Sequence, residues 1–225
     1  MNIRQHIQLL RFQLFEMSRL SQRAVDYSIK AFELRSKEFC RYVQNYKYEV
    51  GDLHRSVEDQ CRQLLVAGLP IESDLQYALS AFRICRALYS TYSAAAEIAQ
   101  NTMSSLEDGQ IFESPALVEM GRIVNRSIRL CTVALFKEEV EHAKAVENNY
   151  AVVRWFELAV SRGQNNAHQQ IGTQTAFELA IMKSFRQVAK QAHEMAGAIT
   201  LCLERPDCTG FVPDLDLQEI AACRQ

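Results

Sequence analysis

The sequence predicts an all-α protein, on three observations. Its 225 residues hold only eight glycines and four prolines. These are absent from Met1–Val50, Ile71–Asp108, Arg122–Arg162 and Thr173–Ala196. Inside those gaps apolar residues recur every three or four positions, the spacing of one helix face, and no stretch alternates with period two for long enough to suggest a sheet.

In the first helix Leu10, Leu14, Met17, Leu20, Ala24, Tyr27, Ala31 and Leu34 form the apolar line. The second carries Phe39, Val43, Tyr46, Val50, Leu53, Val57, Cys61 and Leu64. It is expected to end at Gly68, a residue suited to a left-handed cap, and at Pro70, which cannot continue a helix. Ser73 is placed to cap the third helix, which passes Leu75, Leu79, Phe82 and Tyr89 towards Met103. A polar stretch, Ser104–Pro115, contains the turn pair Asp108-Gly109 and ends in Ser114-Pro115, an N-cap followed by proline at the first helical position. Three more helices are expected, at about Pro115–Phe136, Glu138–Arg162 and Thr173–Leu203, with a polar loop from Gly163 to Gly172. The tail from Arg205 contains Pro206, Gly210 and Pro213, then a short amphipathic segment capped by Asp214 with Leu215, Leu217 and Ile220 on one face.

The halves repeat. A shift of 103 residues matches Glu16, Met17, Arg19 and Arg23 with Glu119, Met120, Arg122 and Arg126. Without a gap it also matches Ala31, Glu38, Val43, Asn45 and Val57 with Ala134, Glu141, Val146, Asn148 and Val160. For the third helix a shift of 97 matches Ile84, Ala95, Glu97 and Ala99 with Ile181, Ala192, Glu194 and Ala196. The prediction is a tandem repeat of two antiparallel three-helix bundles, six long helices in all. The units are expected at residues 1–108 and 109–205, followed by a tail at 206–225 with a short helix.

Composition limits function. Hydrophobic residues make up 48% and charged residues 23%, ordinary for a globular chain, and the net charge of −2 supplies no field to recruit nucleic acid. No apolar run approaches the roughly 20 residues of a membrane span, and Arg4, His6, Arg11 and Glu16 interrupt the N-terminal apolar pattern of a would-be signal peptide. The expectation is a cytoplasmic protein. Seven cysteines without a paired spacing argue against a disulfide framework; Cys40, Cys61, Cys85 and Cys131 fall inside helices as small buried apolar groups, while Cys202 and Cys208 flank a turn.

No nucleophile elbow, phosphate-binding loop or dinucleotide fingerprint is present, so no catalytic residue and no cofactor is expected. The pairs His54/Glu58 and Glu138/His142 have ligand-like spacing, but no further ligands converge on either in sequence, so neither is expected to hold a metal. Tyr42, Tyr46, Tyr48, Tyr89, Tyr92, Tyr150, Trp155 and Phe156 are expected in or beside helix seams. The one charged constellation is Lys183, Arg186, Lys190 and His193, which step along one stripe of the last helix, with Arg154 on its neighbour. It is either a solvated face or a surface for an anion or an acidic partner.

Three features together resemble the PhoU family. They are the doubled three-helix unit with Met17 and Met120 early in its first helices, the junction Leu69-Pro70-Ile71-Glu72-Ser73-Asp74-Leu75, and Ala95-Ala96-Glu97-Ile98-Ala99 late in the third helix. The resemblance spans about residues 8–203. It implies regulation of phosphate uptake or signalling, by contact with a transporter ATPase subunit or a sensor kinase, and homodimerisation. It also implies acidic metal-cluster motifs, and here the sequence departs. The matching positions hold Lys47, Gly51, Tyr89 and Ser93 in the first half and Tyr150, Arg154, Arg186 and Lys190 in the second. Four of the eight are cations and none is acidic, so metal binding of the family type is expected to be lost. The alternative is a helical adaptor of the same fold with a different protein partner.

Overall fold

The computed structural model describes residues 3–66, 72–109, 114–165 and 173–203, and among them every regular element is a helix. In chain order these are α1 (Ile3–Leu34), α2 (Lys37–Asn45), α3 (Lys47–Val66), α4 (Glu72–Glu107), α5 (Pro115–Lys137), α6 (Val140–Asn165) and α7 (Thr173–Leu203). The expected second helix is divided into α2 and α3 at Tyr46. There the Tyr46 amide donates to the Val43 carbonyl at 3.3 Å, a tighter turn, before the helix resumes with Val50 donating to Tyr46 at 3.0 Å. Nothing in the glycine and proline pattern marks that break.

Other boundaries shift by a turn or less. Ser73 lies inside α4, which begins at Glu72, and α4 runs on to Glu107 through the first part of the polar stretch. Ser114 does precede α5, with Pro115 opening it, but its side chain makes no capping hydrogen bond. α6 starts at Val140 and continues past Gly163 to Asn165, so the first three residues of the expected loop are helical; the rest of it lies outside the described residues. The expected cap at Gly68 and Pro70, and the tail helix at Asp214–Ala222, lie outside the described residues.

Helices α1 to α4 pack on one another, as do α5, α6 and α7. In the first unit Gln13 of α1 reaches Ser56 and Gln60 of α3, whereas Tyr27 reaches Phe39 and Tyr46, so α1 runs antiparallel to α2 and α3. Its apolar seam buries Leu10, Leu14, Met17, Leu20, Ile84, Leu88 and Ile98; the second unit buries Met120, Ile128, Leu135, Ile181 and Phe185. Cys40, Cys61, Cys85, Cys131 and Cys202 are all buried and free. Burial pushes the Cys40 thiol up to about 11 and Cys61 to about 12, and raises Cys85 and Cys131 further.

The units join through like helices, α1 on α5 and α4 on α7. Phe15 meets Phe136 edge to face at 4.9 Å, Asn125 donates to Asp26 at 3.3 Å, and Arg122 pairs with Glu33 at 2.8 Å, which fixes α1 and α5 as antiparallel. On α4 and α7 Gln187 donates to Ser90 at 3.2 Å. These two residues are 97 apart and therefore occupy the same place in each unit: the crossing sits close to an internal pseudo-twofold axis. Gly121 leaves room for both Phe185 and Ile29, since a Cβ there would meet the first at 3.0 Å and the second at 3.1 Å.

The repeat is also written in the backbone. Arg35 (φ 53°) and Glu138 (φ 56°) are the two non-glycine residues with positive φ among those described. They are 103 residues apart, each at the turn after the first helix of its unit. Side chains other than glycine seldom adopt that conformation, so its recurrence at matched positions reflects a shared local geometry. No helix among the described residues is long and apolar enough to cross a membrane.

Candidate functional site

The basic stripe on α7 separates into two surfaces. Arg186 and His193 face the α6 seam: the Arg186 guanidinium donates to the Glu157 carboxylate at 2.7 Å, and the His193 ring stacks on Tyr150 at 5.0 Å with 13° between planes. Lys190 turns away towards α4, with its ammonium 3.5 Å from Glu194, and borders an open cavity of about 620 Å³ with Arg83 and Arg86. Lys183 and Arg154 are exposed. The five residues form a broken belt across the outer faces of α6 and α7, with two of its charges locally offset by Glu157 and Glu194. Exposed pairs of this kind hold little energy, about 0–1 kcal/mol each, so the belt can exchange internal partners for an incoming anion at low cost.

The matched face of the first unit is built differently. His54 stacks on Tyr89 at 4.3 Å and its Nε2 lies 3.4 Å from Glu58. Ser93 donates back to the Tyr89 carbonyl at 3.0 Å. Under the repeat shifts His54 and Tyr89 correspond to Glu157 and Arg186, so one pair of positions holds a ring stack in one unit and an ion pair in the other. His142 pairs with Glu139 at 2.8 Å rather than with Glu138. Among the described residues no three His, Cys, Asp or Glu side chains gather as metal ligands. The eight positions at which the resemblance implies acidic metal motifs hold four cations, two phenols, one hydroxyl and one glycine. That donor set does not fit a multinuclear metal cluster, which needs anionic oxygen ligands.

The aromatic residues correct one expectation. Tyr92 is buried, but Tyr48 is 80% exposed and Trp155 is 63% exposed, and neither lies in a seam. Trp155 belongs to an apolar stripe on the outer face of α6 with Val152 and Leu158. The 103-residue shift places Glu49, Asp52 and Arg55 at the same positions of α3, where Arg55 and Asp52 form an ion pair in water. Three polar positions in one unit are three apolar ones in the other. The signal was present in the repeat alignment, at columns where the halves disagree. Arg154, one residue from Trp155, joins this stripe to the basic belt.

Residues 14–102 match the PhoU domain profile. Among solved structures the chain is similar to PhoU from Pseudomonas aeruginosa, with a TM-score of 0.80 at 17% identity, covering 89% of this chain and 98% of that one. It is similar also to the phosphate transport system regulatory protein PhoU from Streptococcus pneumoniae, with a TM-score of 0.78 at 19% identity, covering 95% and 100%. Comparison with curated protein sequences returns no significant match.

Proposed function

We propose that this chain, which carries a PhoU domain in residues 14–102 and has the PhoU fold over nearly its whole length, is a non-enzymatic regulator of phosphate uptake that acts by protein contact. Its units are residues 1–108 and 109–205, and its family-type metal sites have been replaced. The observation that carries this reading is the outer surface of α6 and α7. There Val152, Trp155 and Leu158 lie exposed beside Arg154, with Lys183 and Arg186 on the neighbouring helix. Exposed tryptophan and arginine are the side chains most enriched where protein interfaces concentrate their energy. The charge of the belt selects an acidic partner segment with an apolar face, and the transporter ATPase subunit or a sensor kinase is the partner class this reading assigns.

The test is genetic and biochemical. Deleting the gene in its source organism should change phosphate uptake at high external phosphate, and wild-type protein should restore it. A chain with Trp155→Glu and Arg154→Glu should fold normally by circular dichroism yet fail to restore uptake or capture the ATPase subunit. Unchanged uptake on deletion would sink the phosphate role. If uptake is unchanged while the same double substitution abolishes capture of another reproducible partner, the protein is an adaptor of PhoU fold. The absence of carboxylates from the metal-motif positions is the observation that favours that second reading.

A further inference from the structure

Tyr27, Phe39, Tyr42 and Tyr46 fill the groove between α1 and α2 with one ring cluster, at centroid distances from 5.5 to 6.3 Å. Lys30 lies over the Tyr27 ring and pairs with Asp26 at 2.8 Å. The 103-residue shift carries the four rings onto Leu130, His142, Ala145 and Asn149. The second unit thus lacks most of the material that closes the groove in the first. A cavity of about 660 Å³ opens there, with Leu130 and His142 in its lining. That volume falls within the range of small-molecule sites.

The wall has changed sign as the floor has emptied. Asp26, Lys30 and Leu34 of the first unit correspond to Arg129, Val133 and Lys137. Together with Arg122 and Arg126, conserved in place from Arg19 and Arg23, they line the cavity with four cations. Phe15, Leu130, Val133 and Phe136 supply an apolar floor. Among the described residues, four acids beside this wall already have partners. Glu139 pairs with His142 at 2.8 Å, while Glu33 at 2.8 Å and Glu119 at 3.6 Å both serve Arg122. Asp26 accepts from Asn125 at the far edge. Arg122, Arg126 and Arg129 lie within two helical turns, roughly 10 Å along the axis, close enough for one ligand to touch all three.

We propose that this cleft binds an amphipathic organic anion: a sulfonate, carboxylate or phosphate head held by Arg126 and Arg129, and an apolar body lying on Phe15, Leu130, Val133 and Phe136. Guanidinium forks suit oxyanions of this kind, and the floor gives the body a reason to leave water. The site lies between α1, α5 and the start of α6, apart from the α6–α7 surface, and does not depend on the regulatory reading.

The test uses the full chain with 8-anilinonaphthalene-1-sulfonate as probe, followed by fluorescence and calorimetry at physiological salt. One probe should bind per chain. Arg126→Glu, a change at an exposed residue, should weaken binding about tenfold or more, the loss of one charge-assisted contact. Ala145→Tyr with Asn149→Tyr, which restores ring bulk found in the first unit, should abolish binding. Arg23→Glu, the matched change in the first unit, should leave it intact. Octyl phosphate should displace the probe at concentrations at least about tenfold below inorganic phosphate, since only the former covers the floor. Binding that survives both Arg126→Glu and the refilled groove overturns the proposal. So does binding lost with Trp155→Ser, which would place the probe on the α6 stripe, or equal competition by inorganic phosphate.

Discussion

At the turn after its first helix each unit sets a non-glycine residue in the left-handed region, Arg35 in one and Glu138 in the other, and from there the two units diverge. The first closes its groove with four aromatic rings, stacks His54 on Tyr89, and turns Glu49, Asp52 and Arg55 to water. The second leaves a cavity, pairs Glu157 with Arg186, and exposes Val152, Trp155 and Leu158. Backbone geometry and buried seams are common to both, while the outward positions differ. The first unit therefore acts as an internal reference. A feature found only in the second is not required by the fold, which makes it a candidate for function.

The comparison fails if the two units are not mechanically one body, and the largest expected effect tests that. Phe185 is fully buried and touches Gly121, at the place where α5, α1 and α7 meet. Phe185→Ala should cost about 3–5 kcal/mol. Its loss should appear in a single urea transition, with far-UV circular dichroism and the fluorescence of Trp155, the only tryptophan, giving the same midpoint. Separate midpoints would mean that the α1–α5 and α4–α7 contacts do not couple the units.

Alkaline stability probes the seams next. Cys40, Cys61 and Cys85 lie in the first unit and Cys131 in the second, all raised above the ordinary thiol range by burial. A thiol that ionises in the unfolded chain but stays protonated in the fold gives the native state more bound protons, so stability falls as pH rises. The effect is absent below the unfolded value and grows through pH 9 to 11, with a slope of up to about 1.4 kcal/mol per pH unit for each such thiol. Denaturation midpoints should therefore drop across that window, and Cys61→Ala should flatten the slope. A flat profile would show that the thiols are not sealed in the seams.

The substitution Gly121→Ala examines the place where Gly121 lies against Ile29 of the first unit and Phe185 of the second. The added methyl must displace the Phe185 ring or Ile29, so a loss of about 1–3 kcal/mol is expected. The matched residue in the first unit is Ser18, whose hydroxyl is already accommodated and bonds the Phe15 carbonyl at 3.0 Å. Ser18→Ala should cost less than Gly121→Ala. The reverse order, measured by urea denaturation, would indicate that the pseudo-twofold packing is looser than the distances imply.

Much of this architecture was legible before the structure. Long gaps between glycines and prolines gave the all-helical class, and Pro115 and Thr173 marked helix starts that the structure keeps. The break at Tyr46 was not legible, because it comes from one tightened turn that no residue type announces. Trp155 was expected in or beside a seam. Its phase says otherwise: Val146 and Val153 fix the buried side of α6, and Trp155 sits about 200° round the helix from Val153. The cleft left no motif, since two of the positions that line it, Leu130 and His142, are marked only by lacking the tyrosine and phenylalanine rings of the first unit. Only comparing Tyr27, Phe39, Tyr42 and Tyr46 with their counterparts reveals it. The basic stripe was found as residues but not as geometry, because Glu157, which pairs with Arg186, comes from the neighbouring helix, a contact that no spacing within α7 announces.

The smallest effect concerns the pair that distinguishes the two matched helix faces. Glu157 is mostly buried beside Arg186, which is half exposed, and the ion pair between them is reachable by water on one side. Glu157→Gln should cost at most about 1 kcal/mol, an amount that salt reduces further. His54 and Tyr89 hold the equivalent place by ring contact, which salt does not screen. The two faces should thus respond differently to ionic strength: the penalty for Glu157→Gln should shrink between low and high salt, while that for Tyr89→Ser should not. Equal salt responses in denaturation midpoints would mean that the two units meet this position by the same physics after all, and that their divergence there is one of residue names alone.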